Sequence, residues 1–340
     1  MEKENYLEEL KNELLKHNKD NEFINRCMQY ASRLFKANLP VIFDRVHLAL
    51  LLGIKYAELN TIINCEYNYY TEYNIAKKSG GQRIIQSPAL ILKYIQRWIL
   101  DNILNNLHVS KYANGFCKNK SIVTNAIVHT NKDCVINIDI KDFFPSIDQE
   151  SIFRIFYYYG YTKDISYVLS KLCTFEGYLP QGSPASPALS NIVCLKLDKR
   201  ISSLSKKYKC DYTRYADDIS ISGNKGIKNI LNMVTTIIND EGFDLNDKKT
   251  RISYKNQRQE VTGLIVNNNK VTVPKKYKKE LEQEIYYCIK YGVSDHLSYI
   301  NCNKSFYKEH LYGKVYFINS IEPELGKKLL KKLEKISWDY

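Results

Sequence analysis

The amino-acid sequence predicts an α+β fold, on three observations. Apolar residues recur at helical spacing toward both ends of the chain. The middle alternates short β-branched runs with amphipathic helical stretches. In "RYADDISISG" two acids, Asp217 and Asp218, fall where a tight turn between two strands belongs. The 340 residues, 44% of them hydrophobic, suffice for two or three packed units. Neither an internal repeat nor a Pro/Gly/Ser-rich linker separates those units, so they are expected to pack against one another.

Residues 1–60 read as a helical N-terminal extension, with Leu7, Leu10 and Leu14 and then Phe23, Ile24 and Met28 at helical spacing. The stretch "EYNYYTEYNIAKKSGGQRIIQ" turns to alternation and aromatic enrichment, which predicts two strands joined at Gly80 and Gly81. A helix follows from about Pro88, because proline suits a first helical turn. Next, "DCVINIDI" reads as a buried strand and "SPALSNIVCLKLDKRISSL" as one helix entered through prolines. "DYTRYADDISISG" reads as a hairpin, and "GIKNILNMVTTIINDEG" as a helix closed by Gly242. From Val266 the pattern is helical and basic, as in "VPKKYKKELEQEIYYCIKYG" and "PELGKKLLKKLEKIS". Residues 266–340 hold 14 lysines and no arginine against 9 acids, which marks a separate basic lobe.

The formal net charge of +13 fits a polyanionic partner, since clustered cations neutralise phosphates and release counterions. A low-GC genome, which enriches Lys, Asn, Ile and Tyr together, produces the same composition. The stretch "MEKENYLEELKNELL" lacks the apolar core of a signal peptide, and the longest apolar stretch, near "HLALLLGI", is far short of a membrane span. A cytoplasmic protein without a membrane partner is expected. Nine cysteines, at 27, 65, 117, 134, 173, 194, 210, 288 and 302, form no CxxC pair and predict reduced, mostly buried thiols.

Asp139 ends the apolar run "VINIDI", where an unpaired carboxylate is costly and a cation or a hydrogen-bonding partner is implied; capping of the following turn is the alternative. A strand-end acid and a hairpin-turn acid on neighbouring strands bring two carboxylates within metal-bridging reach. Taken alone, Asp217 and Asp218 are also ordinary turn residues.

At this point a family resemblance is readable. "NIDIKDFFPSI", "LPQGSPASPALSN", "RYADDISISG", "FDLNDKKTRIS" and "VTGLIVN" occur in the order of the palm motifs of reverse transcriptases and resemble the bacterial branch. Upstream, "QRIIQSP" and "ANGFCKNKSI" are similar to the two fingers motifs. "NAIVH", Asn125 to His129, and "VTG", Val261 to Gly263, resemble elements of the retron enzymes. The resemblance spans about residues 75–320. It implies a right-hand polymerase with fingers at 61–130, a palm at 131–265 holding a small antiparallel sheet and interleaved helices at 150–205, and a helical thumb at 266–340.

Residue by residue, the resemblance implies that Asp139 and Asp217 bind two Mg²⁺ ions, with the Ile140 carbonyl as an extra ligand and Asp218 organising the site. Lys249 matches the lysine that assists the pyrophosphate leaving group, with Lys248 as the competing register. Phe144 matches the aromatic residue that closes the sugar pocket against a 2′-hydroxyl, so dNTPs are the expected substrates, while Phe143 belongs to the core. Pro180, Gln181 and Gly182 match the loop that approaches the incoming nucleotide. Arg83 matches the cation on its triphosphate, and Tyr215 a neighbour of the primer terminus. Lys77, Lys78, Lys118 and Lys120 are expected to touch phosphates diffusely. Asn125 and His129 are either structural or part of RNA binding. Lys275, Lys276, Lys278 and Lys279, interleaved by Tyr277, resemble a thumb surface that grips an RNA stem-loop; a solvated helix face is the alternative.

The implied function is a retron reverse transcriptase, an RNA-directed DNA polymerase. It primes DNA synthesis from a 2′-hydroxyl of its cognate structured noncoding RNA and leaves a branched RNA–DNA product. A separate effector protein and a role in phage defence are implied with it. Two rivals stand beside this reading: another bacterial reverse transcriptase, group II intron-like or of the abortive-infection type, and a nucleic-acid-binding scaffold with an idle site.

Overall fold

The computed structural model describes residues 3–76, 80–301 and 305–338; Lys77, Lys78 and Cys302 of the sequence reading lie outside the described residues. Four helices open the chain: α1 (Lys3–Lys16), α2 (Asn21–Lys36), α3 (Arg45–Leu52) and α4 (Tyr56–Asn64). Asp20 caps α2 by accepting from the Phe23 amide, and Asp44 caps α3 by accepting from the His47 amide, each satisfying an orphan donor. The hairpin of β1 (Tyr70–Ala76) and β2 (Gln82–Pro88) follows, with Gly80 and Gly81 at φ +86° and +82°. Pro88 closes β2 opposite Tyr70, and the next helix, α5 (Leu90–Asn102), starts two residues later than the sequence reading placed it. The Ala89 amide, which donates to the Tyr69 carbonyl, keeps that joint in the hairpin.

The chain continues through α6 (Ile122–Ile127), β3 (Cys134–Asp139), α7 (Gln149–Tyr158), α8 (Lys163–Cys173), α9 (Ser186–Val193) and α10 (Leu195–Lys207). The single helix expected over Ser186–Leu204 is therefore broken at Cys194. The hairpin of β4 (Asp211–Tyr215) and β5 (Asp218–Gly223) precedes α11 (Leu231–Asp240), whose expected first turns, from Gly226, fall in a 3₁₀ segment, Lys225–Ile230. Then come β6 (Arg251–Tyr254), β7 (Glu260–Val261) and β8 (Leu264–Ile265). The basic lobe holds α12 (Lys275–Tyr291), α13 (Val293–Tyr299), α14 (Tyr307–Ile321) and α15 (Pro323–Leu333). Its helical character begins at Lys275, later than Val266, because Ile265 and Thr272 first exchange both backbone hydrogen bonds in an antiparallel bridge.

The chain divides into two compact units, one formed by Met1–Cys117, Ile140–Ile201 and Met233–Asn246, the other by Lys118–Asp139, Ser202–Asn232 and Asp247–Tyr340. The stretch 131–265 contributes to both. In the first unit the N-terminal helices pack against α7 and α8. Arg33 donates to the Gly160 carbonyl at 2.7 Å, the Tyr161 hydroxyl donates to the Pro40 carbonyl at 3.1 Å, and Arg45 pairs with Asp164. Leu34, Ile42, Leu48, Ile95, Ile99 and Phe156 of this unit are all fully buried.

The second unit is built on a sheet of order β4-β5-β3-β6, antiparallel throughout. One small core joins α6 to this sheet and to β7 and β8 through Ala126, Val135, Val261, Leu264 and Val266. A larger core fills the helical lobe, with Leu281, Ile285, Leu311, Val315, Leu329 and Leu333 buried. Each such side chain contributes about 1.5–3 kcal/mol by leaving water.

Among the described residues no single helix is long and apolar enough to cross a membrane. Among the described residues no cysteine forms a disulfide: Cys134, Cys173, Cys194 and Cys288 are buried, Cys27, Cys117 and Cys210 half-buried, and Cys65 exposed.

The lobe has one backbone contact that tolerates no side chain. A β-carbon at Gly326 of α15 would lie 2.3 Å from the Asn319 Cα of α14, so the two helices meet at van der Waals distance only with glycine there. Gly326→Ala is expected to destabilise the protein by about 1–3 kcal/mol through this overpacking, read as a lower urea midpoint.

Candidate active site

The site begins with β-branched strand chemistry. Ile136, Ile138, Ile219 and Ile221 are fully buried and fix β3 against β5, so the register is set by burial: shifting either strand by one residue would turn them out. That register places Asp139 directly opposite Asp218, Asn137 opposite Ser220, and Val135 opposite Ser222. On the other side of β5, Tyr215 pairs with Asp218, which leaves Ala216 and Asp217 as a two-residue turn. By strand alternation, Asp139, Asn137, Asp218, Ser220, Ser222 and Thr213 share one face of the sheet.

The turn is held in a strained conformation. Ala216 sits at φ +56°, a region that glycine normally occupies. Beneath it the side chain of Arg214 is fully buried, and its guanidinium donates to the Ala216 carbonyl at 3.2 Å. Sequence reasoning passed over Arg214; its place in the run "TRYADD" is the only sequence signal it offers. A buried cation is tolerated only where partners satisfy it, so this residue ties the turn to the sheet interior.

Three carboxylates gather at this end of the sheet. Asp139 is only 8% exposed and accepts from the Lys249 ammonium through both oxygens, each at 2.9 Å. The bond to Asp139 raises the Lys249 pKa, so the ammonium keeps its proton at neutral pH. Lys248, the competing register, is exposed. Asp218 remains open to solvent at its edge, yet protein crowding and then the charges of Asp217 and Asp139 push its pKa up to about 7, with Lys249 acting in the opposite sense.

Such a cluster suits a hard cation: carboxylate oxygens are the donors that divalent ions of the Mg²⁺ class prefer, and their mutual repulsion is what a cation relieves. Among the described residues, however, no three His, Cys, Asp or Glu side chains already converge on one point that would hold an ion. The Lys249 ammonium occupies both oxygens of Asp139 instead.

A cavity of about 420 Å³ opens beside the acids on the same face, with Asn137, Ser220, Arg251, Arg258 and Thr262 in its walls. Its floor is an ordered polar file: Ser220 donates to Asn137 at 3.0 Å, and Asn137 donates to the Glu260 carbonyl at 2.9 Å. Thr262 and Gly263 of the "VTG" stretch form the opposite wall. The Thr262 hydroxyl donates to the Ile122 carbonyl at the start of α6, so "VTG" and "NAIVH" lie against each other.

His129, at the end of that helical segment, is 0% exposed. Its Nδ1 lies 2.7 Å from the Ser222 hydroxyl and its Nε2 2.7 Å from the Thr213 hydroxyl, which bridges β5 and β4 at the base of the acid-bearing hairpin. Asn125 is also fully buried, and neither of its amide atoms has a partner among the described residues. His129 thus forms an internal clamp, the structural one of the two roles expected of it.

Of the sequence-predicted residues, Asp139, Asp217, Asp218, Lys249 and Tyr215 come together in this unit. Ile140, Phe144, Gln181, Gly182 and Arg83 belong to the other. There Phe143 is buried against Phe243, as expected of core, while Phe144 is half-buried with its ring 6.3 Å from that of Phe116. The Gln86 amide donates to the Gln181 carbonyl at 2.9 Å, and a β-carbon at Gly182 would stand 2.4 Å from the Gln86 carbonyl oxygen. Arg83 is exposed on β2 opposite Ile75.

In the basic lobe, Lys275 and Lys279 are exposed, but Lys278 is held by Glu322 at 3.1 Å and Tyr277 packs on Phe317. Those two are therefore structural rather than surface groups.

A family model described as reverse transcriptase (RNA-dependent DNA polymerase) matches residues 75–273. The chain is 34% identical over 312 residues to the retron Ec86 reverse transcriptase of Escherichia coli, which covers 91% of this chain and 94% of that protein. It is 33% identical over 298 residues to the retron Mx162 reverse transcriptase of Myxococcus xanthus, covering 79% of this chain and 61% of that one. To the retron Ec73 reverse transcriptase of Escherichia coli it is 32% identical over 288 residues, covering 78% and 88%.

The clamp at His129 has a pH signature. Burial lowers the imidazole pKa to about 4; Asp211 opposes this and Lys132, itself 2.6 Å from Asp211, adds to it. A depressed histidine favours the folded state above its unfolded value of about 6.5 and loses that advantage as pH falls toward 4. The difference is roughly 3 kcal/mol. Urea unfolding at pH 7 and pH 4.5 should show wild type losing stability relative to His129→Gln as pH drops. Parallel losses in both proteins would remove the clamp's titration from the account.

Proposed function

This chain belongs to the retron-type reverse transcriptases and is an RNA-directed DNA polymerase of right-hand fold, and from that premise we propose that it primes DNA synthesis from a 2′-hydroxyl of its own structured noncoding RNA. The product is a branched RNA–DNA molecule. The observation that carries this reading is the contact between the "NAIVH" and "VTG" stretches beside the register-paired Asp139 and Asp218 and the turn acid Asp217, in a chain similar over nine-tenths of its length to a retron enzyme. An idle scaffold has no use for an acid at a buried strand end.

In this reading Asp139 and Asp217 hold two Mg²⁺ ions, aided by Asp218 and the Ile140 carbonyl. When bound, the ions supply Lewis-acid activation of the attacking hydroxyl and neutralise the leaving pyrophosphate. The chain's own residues do the rest. Lys249, whose raised pKa keeps it protonated, leaves Asp139 to donate to the pyrophosphate. Arg83 grips the triphosphate and Tyr215 faces the primer end. Gln181 and Gly182 border the incoming dNTP, and glycine there lets backbone approach closely.

Fingers 61–130, palm 131–265 and thumb 266–340 are the proposed divisions. The cognate RNA binds along the basic lobe through Lys275, Lys276 and Lys279 and diffusely at Lys118 and Lys120. A cytoplasmic location, a separate effector protein and a part in phage defence complete the proposal.

Expression of the gene with its flanking DNA, followed by RNase treatment, should yield a discrete small DNA that shifts on debranching and disappears with Asp217→Ala. If no such DNA forms while the purified protein still extends a DNA primer on an RNA template, the branched-product reading fails and the polymerase remains. Phe144→Ala, by opening the sugar pocket, is expected to shift the ratio of ribo- to deoxyribonucleotide incorporation about 10- to 200-fold toward ribonucleotides in primer extension.

A further inference from the structure

The basic lobe contains a second cavity, of about 410 Å³, lined by Tyr287, Tyr291, Asp295, His296 and Tyr299. Gly292, at φ +86°, turns the chain between α12 and α13. Tyr287 and Tyr291, one helical turn apart on α12, thereby meet Asp295, His296 and Tyr299 of α13. The rings at the mouth are open, with Tyr291 54% and Tyr299 84% exposed.

His296 is 5% exposed, its ring lies 5.8 Å from that of Tyr287, and its Nε2 has no hydrogen-bond partner among the described residues. Burial lowers its pKa, so the imidazole is neutral and its free nitrogen is a group waiting for a polar ligand. The Lys290 ammonium lies over the rings of Tyr286 and Tyr291, at 5.7 and 4.9 Å from their centroids, and sets a cation beside the mouth.

These features select a ligand. Flat aromatic walls suit a planar ring, and the lysine excess of the lobe suits a polyanion. The Asp295 carboxylate repels a phosphate but accepts from adjacent N–H donors. Among the four RNA bases, guanine presents two such donors side by side, its ring N1–H and its exocyclic amine. We propose that this cavity receives one unpaired guanine of the RNA partner, stacked on Tyr291 and Tyr299, paired to Asp295 and touched by His296, while Lys290 meets the flanking phosphate. This rests on the thumb being the RNA-binding lobe and names the feature of the RNA that it reads.

The test uses four RNA hairpins of identical stem, whose loops differ in one unpaired base, G, A, C or U, titrated against the full-length protein by fluorescence anisotropy. The guanine hairpin should bind about ten-fold more tightly than the other three. Asp295→Asn should erase that preference, and Tyr299→Ala, at an exposed position that leaves folding intact, should weaken guanine-hairpin binding about ten-fold. Equal binding of all four hairpins, or a preference unmoved by both variants, overturns the proposal. DNA-primer extension on an RNA template and the small-DNA assay, run on the same preparations, read the proposed function separately. A protein that makes the branched DNA without loop discrimination loses only this inference. One that discriminates the loops without making branched DNA loses only the priming reading.

Discussion

Three carboxylates at the end of one small sheet repel one another, and the second unit is arranged around holding them in place. The register of β3 on β5 forces Asp139 and Asp218 to face each other, and the strained turn adds Asp217 beside them. Repulsion of this kind opens a structure unless it is balanced on every side. Here Lys249 neutralises Asp139 from above, buried Arg214 anchors the turn from below, and His129 ties the two hairpin strands at their base. Removing any one of the three leaves the acids where they are only at a cost to the sheet.

The same balance sets the charge state of the cluster. A carboxyl whose pKa stands near 7 is poised between charged and neutral forms, and a small change in local cation density decides between them. Lys249 is half-exposed and meets Asp139 through its side chain, whereas Asp139 and Asp218 are fixed by the pairing of β3 with β5.

Much of this was legible in the sequence and some of it was not. Period-two β-branched runs located β3 and the β4–β5 hairpin, and the strand-end position of Asp139 already implied a partner. The identity of that partner depended on a loop reaching back 110 positions, which local pattern does not encode. Arg214 drew no reading from the sequence, and only its burial and its bond to the Ala216 carbonyl show that it supports the turn. His129 read as an ambiguous helix residue because its partners, Thr213 and Ser222, come from strands 84 and 93 positions away. The break at Cys194 and the extended stretch before Lys275 are tertiary overrides of helical pattern, the kind of boundary error that propensity always makes. Tyr277 and Lys278, taken as surface groups, were drawn inward by Phe317 and Glu322 on a neighbouring helix.

The division into units has a consequence for how the protein is made. The chain passes between them at 117/118, 139/140, 201/202, 232/233 and 246/247. On a translating ribosome the first unit is not complete until residue 246 has emerged, and the second waits for the last helices. The N-terminal helices therefore wait for α7 and α8, which end at Cys173, before that packing surface can be covered. Cutting the chain anywhere between residues 118 and 246 divides both units at once.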